Sequence, residues 1–92
     1  MKVYLIKYWL TTGYIEEYEV GPSAFPGAHQ RHVVIKRPGK TQQWYQMGKD
    51  AFLWQHEAEQ AALAMRDKQV ELSLRFVQKY QTMTPITRRV LT

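Results

Sequence analysis

Apolar and polar positions alternate with a period of two through the first half of this chain and with a helical period through the second. Residues 2–10 and 14–20 are rich in β-branched and aromatic side chains and are separated by Thr11-Thr12-Gly13, the pattern of a β-hairpin. In the first strand Val3, Leu5, Lys7 and Trp9 point one way, and Tyr4, Ile6, Tyr8 and Leu10 the other. In the second, Tyr14, Glu16, Tyr18 and Val20 oppose Ile15, Glu17 and Glu19. One face is the more apolar, which suits a sheet covered on one side. The Pro- and Gly-rich run GPSAFPGAHQ is a loop, with Phe25 expected against the core. A third strand is expected over Arg31–Arg37, a turn at Pro38-Gly39, and a fourth strand over Thr41–Met47, all in one antiparallel sheet.

From about His56 to about Met83 the pattern is helical, and no Gly or Pro occurs until Pro85. Ala58, Ala62, Met65, Leu72, Phe76, Tyr80 and Met83 share one stripe. Leu63, Val70, Leu74 and Val77 form a second, roughly 130° away on a helical wheel. So wide an apolar arc exceeds what one sheet face needs. Either the helix is kinked and folds back, or the second stripe meets a partner, a sister chain included. The expected fold class is therefore α+β: an antiparallel sheet of three or four strands with one long C-terminal helix packed on one face. A single domain of 92 residues is expected, with a β region over 1–47, helix over 50–83 and a loose tail over 84–92.

Composition agrees with a folded globular chain, 45 % hydrophobic and 23 % charged with three Trp and six Tyr. The absence of Cys removes disulfides, thiolate metal sites and a Cys nucleophile, and suits an intracellular protein. The opening MKVYLIKYWL is interrupted by Lys7 and lacks a cleavage site, and no run approaches the ~20 apolar residues that cross a bilayer, so a cytoplasmic protein without a membrane partner is expected. The net charge of +5 is concentrated in one place. Between Glu19 and Asp50 there is no acid, while Arg31, Lys36, Arg37, Lys40 and Lys49 fall there with His29 and His32.

The pattern argues for binding rather than catalysis. The carboxylates are spread over the first hairpin and the polar helix face, where solvation explains them better than acid–base chemistry. His29 and His32 have metal-ligand spacing but stand among cations without a third ligand, so no metal or cofactor is expected. Gly39-Lys40-Thr41 copies the end of a P-loop, yet Val34 stands where the first Gly is needed and a strand follows instead of a helix. What remains is a basic strand pair beside Gln42, Gln43, Trp44, Tyr45 and Gln46, the mixture with which single-stranded nucleic acid is bound. The same residues also serve as core aromatics and solubilising cations in many small domains. An acidic protein surface is the other target such a patch fits.

The spacing K-x-Y-x-x-K-Y-x-L-T-x-G-x-x-E, here Lys2, Tyr4, Lys7, Tyr8, Leu10, Thr11, Gly13 and Glu16, followed by Gly48-Lys49-Asp50, Trp54, Glu57-Ala58 and Met65-Arg66, resembles small accessory proteins of tailed phages and prophages. At this length the chain looks most like anti-CRISPR proteins directed at the type I-F surveillance complex. The likeness covers the hairpin and the first half of the helix; residues 21–47, where the charge lies, match poorly. It implies a stoichiometric inhibitor in the host cytoplasm that occupies CRISPR surveillance complex proteins, or their guide RNA, and blocks target DNA. The basic balance is unsuited to DNA mimicry. Arg31, His32, Lys36, Arg37, Lys40 and Trp44 are the candidate contacts. The alternative reading is a nucleic-acid-binding phage accessory protein.

Overall fold

The computed structural model describes residues 1–27, 31–72 and 83–90. Strand β1 (Lys2–Leu5) pairs antiparallel with β2 (Ile15–Glu19), Lys2 opposite Glu19 and Leu5 opposite Glu16. The expected hairpin is present, but its strands are shorter than the apolar pattern, because one helical turn, α1 (Trp9–Thr12), interrupts the connection. The Thr12 amide donates to the Tyr8 carbonyl at 2.9 Å and that of Gly13 to Trp9 at 2.7 Å. Gly13 ends the turn at φ 90°, a left-handed conformation that side-chain-bearing residues rarely adopt. The turn breaks the period of two. Trp9 is thereby carried to the side of Tyr4 and Ile6, away from Val3 and Leu5, with which strict alternation grouped it.

A 3-10 turn (Pro22–Ala24) leads to β3 (His32–Lys36), which pairs antiparallel with β4 (Gln42–Gln46). This pair does not extend the first sheet as expected; it is a separate two-stranded ribbon. The four-stranded sheet has the order β5-β1-β2-β6, with β5 at Ala51–Phe52 and β6 at Thr87–Arg89. It is mixed rather than antiparallel, since β6 runs parallel to β2. The expectation of a loose tail fails at this strand. Ile15 donates to the Ile86 carbonyl at 2.6 Å, Val90 to that of Glu17 at 2.8 Å, and Arg89 Nε to Glu17 Oε2 at 3.1 Å. Three residues are too short for alternation to be read, and nothing in the spacing announces the partner strand.

Helix α2 (Gln55–Leu72) begins where the periodicity changes, and Ala51–Phe52, placed in the helical region by the sequence, belong to the sheet. Ala58 and Ala62 are fully buried against Tyr4, Ile6, Trp9 and Ile15, with Met65 and Met83 at the margin. On the opposite face Val3, Leu5, Tyr18 and Ala51 pack with Val33, Ile35 and Tyr45 of the ribbon and with Phe25, buried as expected. The sheet is thus covered on both faces, by the helix and by the ribbon. Of the second helical stripe, Leu63 and Val70 are half-buried; Leu74, Val77 and the helix expected over residues 73–82 lie outside the described residues, and Met83 is not helical. Arg66 Nη1 donates to the Met83 carbonyl at 3.1 Å, tying α2 to the segment that enters β6. No helix among the described residues is long and apolar enough to cross a membrane.

Candidate nucleic-acid interface

The ribbon sorts its residues by pleat. Val33, Ile35 and Tyr45 point into the core, while His32, Val34 and Lys36 on β3 share the outer face with Gln42, Trp44 and Gln46 on β4. The register sets His32 opposite Gln46, Val34 opposite Trp44 and Lys36 opposite Gln42. Trp44 is 64 % exposed, unusual for the residue with the most apolar surface to bury. Its ring lies diagonal to His32, centroids 6.0 Å apart and planes inclined by 48°.

Cations stand at both ends of this aromatic centre. Lys36 and Lys40 flank the β3–β4 turn, in which Lys40 donates to the Arg37 carbonyl at 3.0 Å and Gly39 takes φ 74°. Arg31 stands at the other end, where its carbonyl accepts from Met47 at 2.8 Å, next to the turn carrying Lys49. Arg31, Lys36, Lys40 and Lys49 are exposed, and among the described residues none has an acidic partner within salt-bridge distance. Five of the six candidate contacts, Arg31, His32, Lys36, Lys40 and Trp44, are therefore exposed on or at the ends of one ribbon; His29 lies outside the described residues.

Arg37 is different. Its Nε donates to both Glu16 oxygens at 3.1 Å, and its Nη2 to Oε1 at 2.8 Å. The Glu16 side chain is 4 % exposed and also accepts from the Tyr18 hydroxyl. The guanidinium carbon stacks 3.9 Å from the Tyr8 ring centroid. Hydrogen bonding to Glu16 holds Arg37 protonated even more firmly than usual, and burial, followed by the bond to Glu16, raises the Tyr18 hydroxyl above the ordinary tyrosine range. Arg37 therefore acts as a strut between ribbon and sheet, its charge matched within the fold. A buried carboxylate requires such a partner. The clue in the sequence is Glu16 itself, flanked at two-residue spacing by Tyr14 and Tyr18 on an apolar strand face.

The structure adds Lys7 and Tyr8, which the sequence did not assign to the interface, beside Gln43 and Tyr45, which it did. Tyr8 and Tyr45 meet edge to face at 6.1 Å, their hydroxyls 3.3 Å apart, and Gln43 Oε1 accepts from Tyr45 at 3.2 Å. Lys7 Nζ lies 5.6 Å from the Tyr45 centroid. A polar cavity of about 260 Å³ opens between these rings, Arg37, Lys40 and Thr41. Burial, then the hydrogen bond with Tyr8, raises the Tyr45 hydroxyl. Lys7 and Tyr8 come from the first connection and reach the ribbon only through the fold, so no local spacing reveals them. Chemically the surface offers aromatic faces, amides and cations without an acidic partner among the described residues, the groups that stack bases and neutralise phosphates. No protein-family model matches this chain, and neither the curated proteins nor the solved structures compared with it gave a match.

Proposed function

We propose that this protein acts by binding, through the outer face of the β3–β4 ribbon, and that its target is an RNA-guided nucleoprotein, the type I-F surveillance complex, whose recruitment of target DNA it blocks by stoichiometric occupancy. The observation that carries the binding surface is Trp44, 64 % exposed beside His32 and set between cations that have no acidic partner among the described residues. Such a face fits exposed guide-RNA phosphates and bases. The choice of target rests on the resemblance to phage accessory proteins. The test is titration of the purified protein against a type I-F surveillance complex with labelled target DNA. Inhibition is expected to saturate at a fixed molar ratio, to weaken with added salt and to leave every component covalently unchanged. Trp44→Ala is expected to weaken the inhibitory binding by about 1–3 kcal/mol. Turnover at sub-stoichiometric protein overturns occupancy.

The His32–Trp44 arrangement also favours a second reading, an accessory protein that binds free single strands. Salt-dependent affinity for free oligonucleotides, with no effect on the surveillance complex, would select it.

A further inference from the structure

A second surface, adjoining the outer face, lies along the edge of β3. The Met47 amide donates to the Arg31 carbonyl at 2.8 Å, so the hydrogen-bonded pairs of the ribbon fall at every second residue from there, Val33 with Tyr45 and Ile35 with Gln43. The N–H and C=O groups of His32, Val34 and Lys36 consequently point away from β4, and among the described residues β3 has no second strand partner. The far edge of β4 is closed at one end. There the Gln46 amide donates to Asp50 Oδ2 at 3.1 Å and its carbonyl accepts from the Asp50 amide at 2.9 Å. Alongside the β3 edge runs a groove of about 400 Å³, walled by Tyr18, Val20, Val34, Ile35, Lys36 and Pro38.

We propose that this edge takes up an extended peptide from a partner protein, one alternating acidic with apolar residues, as an added strand. Main-chain bonds to His32, Val34 and Lys36 would hold it, as in strand addition generally. Alternate side chains of the guest fall on the two faces of the ribbon. Those on the inner side enter the groove against Tyr18, Val20 and Ile35 and are apolar; those on the outer side stand beside Lys36 and His32, with Arg31 and Lys40 near, and are acidic. Among the described residues Glu19 is the one acid on the groove wall, and its carboxylate accepts from the Met1 amino group at 2.7 Å. Charge also decides against a second copy of this chain. Two β3 edges paired antiparallel about Val34 would bring the Lys36 of each copy beside the Arg31 end of the other, gathering the cations of both copies along one seam, and like charges brought together are destabilising. Lys36 thus guards the edge against self-pairing and selects an acidic guest.

The probe is a short capped peptide alternating glutamate and valine, with an alternating lysine–valine peptide as control, followed by fluorescence anisotropy and by amide hydrogen exchange of the whole protein. The acidic peptide is expected to protect the His32, Val34 and Lys36 amides and to bind at least about tenfold tighter than the control. Val34→Pro removes an outward amide and no ladder bond, so the ribbon is expected to survive and peptide affinity to fall about tenfold. Should that variant not fold, Lys36→Glu is expected to reverse the preference between the two peptides. Binding without protection of the three amides, or equal affinity for both peptides, overturns the proposal. Protection that grows with protein concentration alone gives the edge to a second copy, and protection by an oligonucleotide gives it to nucleic acid; either also overturns it. Because the outer-face reading is assayed with nucleic acid and this one with peptide, each can fail without the other.

Discussion

Lys36 and Arg37 are adjacent cations with different work. Lys36 projects from the outer face of the ribbon, whereas Arg37 reaches across to the buried carboxylate of Glu16, 21 positions away in the chain. Removing Arg37 leaves that carboxylate desolvated and without its opposite charge, though still bonded to Tyr18. Arg37→Ala is expected to lower stability by about 3 kcal/mol. Alanine at Arg31, Lys36 or Lys40 is expected to stay within about 0.5 kcal/mol of the parent, because exposed charges gain little from their surroundings. Urea unfolding of the four variants checks both; an Arg37→Ala midpoint equal to that of Lys36→Ala removes the strut argument. Binding assays on the basic patch therefore need Arg37 left in place, or loss of fold will be read as loss of contact.

At the scale of elements, the approach of α2 to the sheet is set by two alanines. Ala58 and Ala62 present no side chain beyond Cβ to Tyr4, Ile6, Trp9 and Ile15, which lets the large residues come from the sheet side. Ala62→Leu inserts volume where the layers already touch and is expected to cost about 1–3 kcal/mol. Ala64→Leu, on the exposed side of the same helix, is the control and is expected to be near neutral. Thermal melting distinguishes them, and equal melting temperatures would show that the interface has room. This face was legible from spacing alone, since Ala58, Ala62 and Met65 recur at helical intervals. The ribbon was legible too. Its strands and the Pro38-Gly39 turn lie where alternation and turn chemistry put them, and only its separation from the main sheet was not.

For the molecule as a whole, the sheet is sandwiched between helix and ribbon, and the ribbon layer is cemented by tyrosines. Tyr18 and Tyr45 hold their protons above the ordinary range, burial being the first cause for each. The folded chain therefore retains protons that the unfolded chain releases above pH ~10. The native state binds more protons there, so ∂ΔG/∂pH for unfolding is negative. Their stabilising contribution is complete below pH ~10 and declines as pH rises toward the folded values. Urea midpoints measured from about pH 8 to about pH 11 are expected to fall at the upper end, and Tyr18→Phe is expected to flatten the fall. An unchanged slope in that variant would remove Tyr18 from the account.

Relations between near neighbours in the chain were determined by the sequence: the places of β1 to β4 though not the early end of β1, the turn at Gly39, the start of α2 and its alanine face, the burial of Phe25, and the crowding of cations between Glu19 and Asp50. Each follows from steric preference or periodicity within a few residues. The tertiary structure alone decided that β6 joins β2 in parallel, that β3 and β4 form their own layer, and that Lys7 and Tyr8 come to lie beside Tyr45. It also decided that Arg37 turns inward while Arg31, Lys36 and Lys40 stay exposed. These are pairings between distant segments, fixed by which apolar faces and buried charges can be satisfied together, and a local pattern contains no term for a partner many residues away.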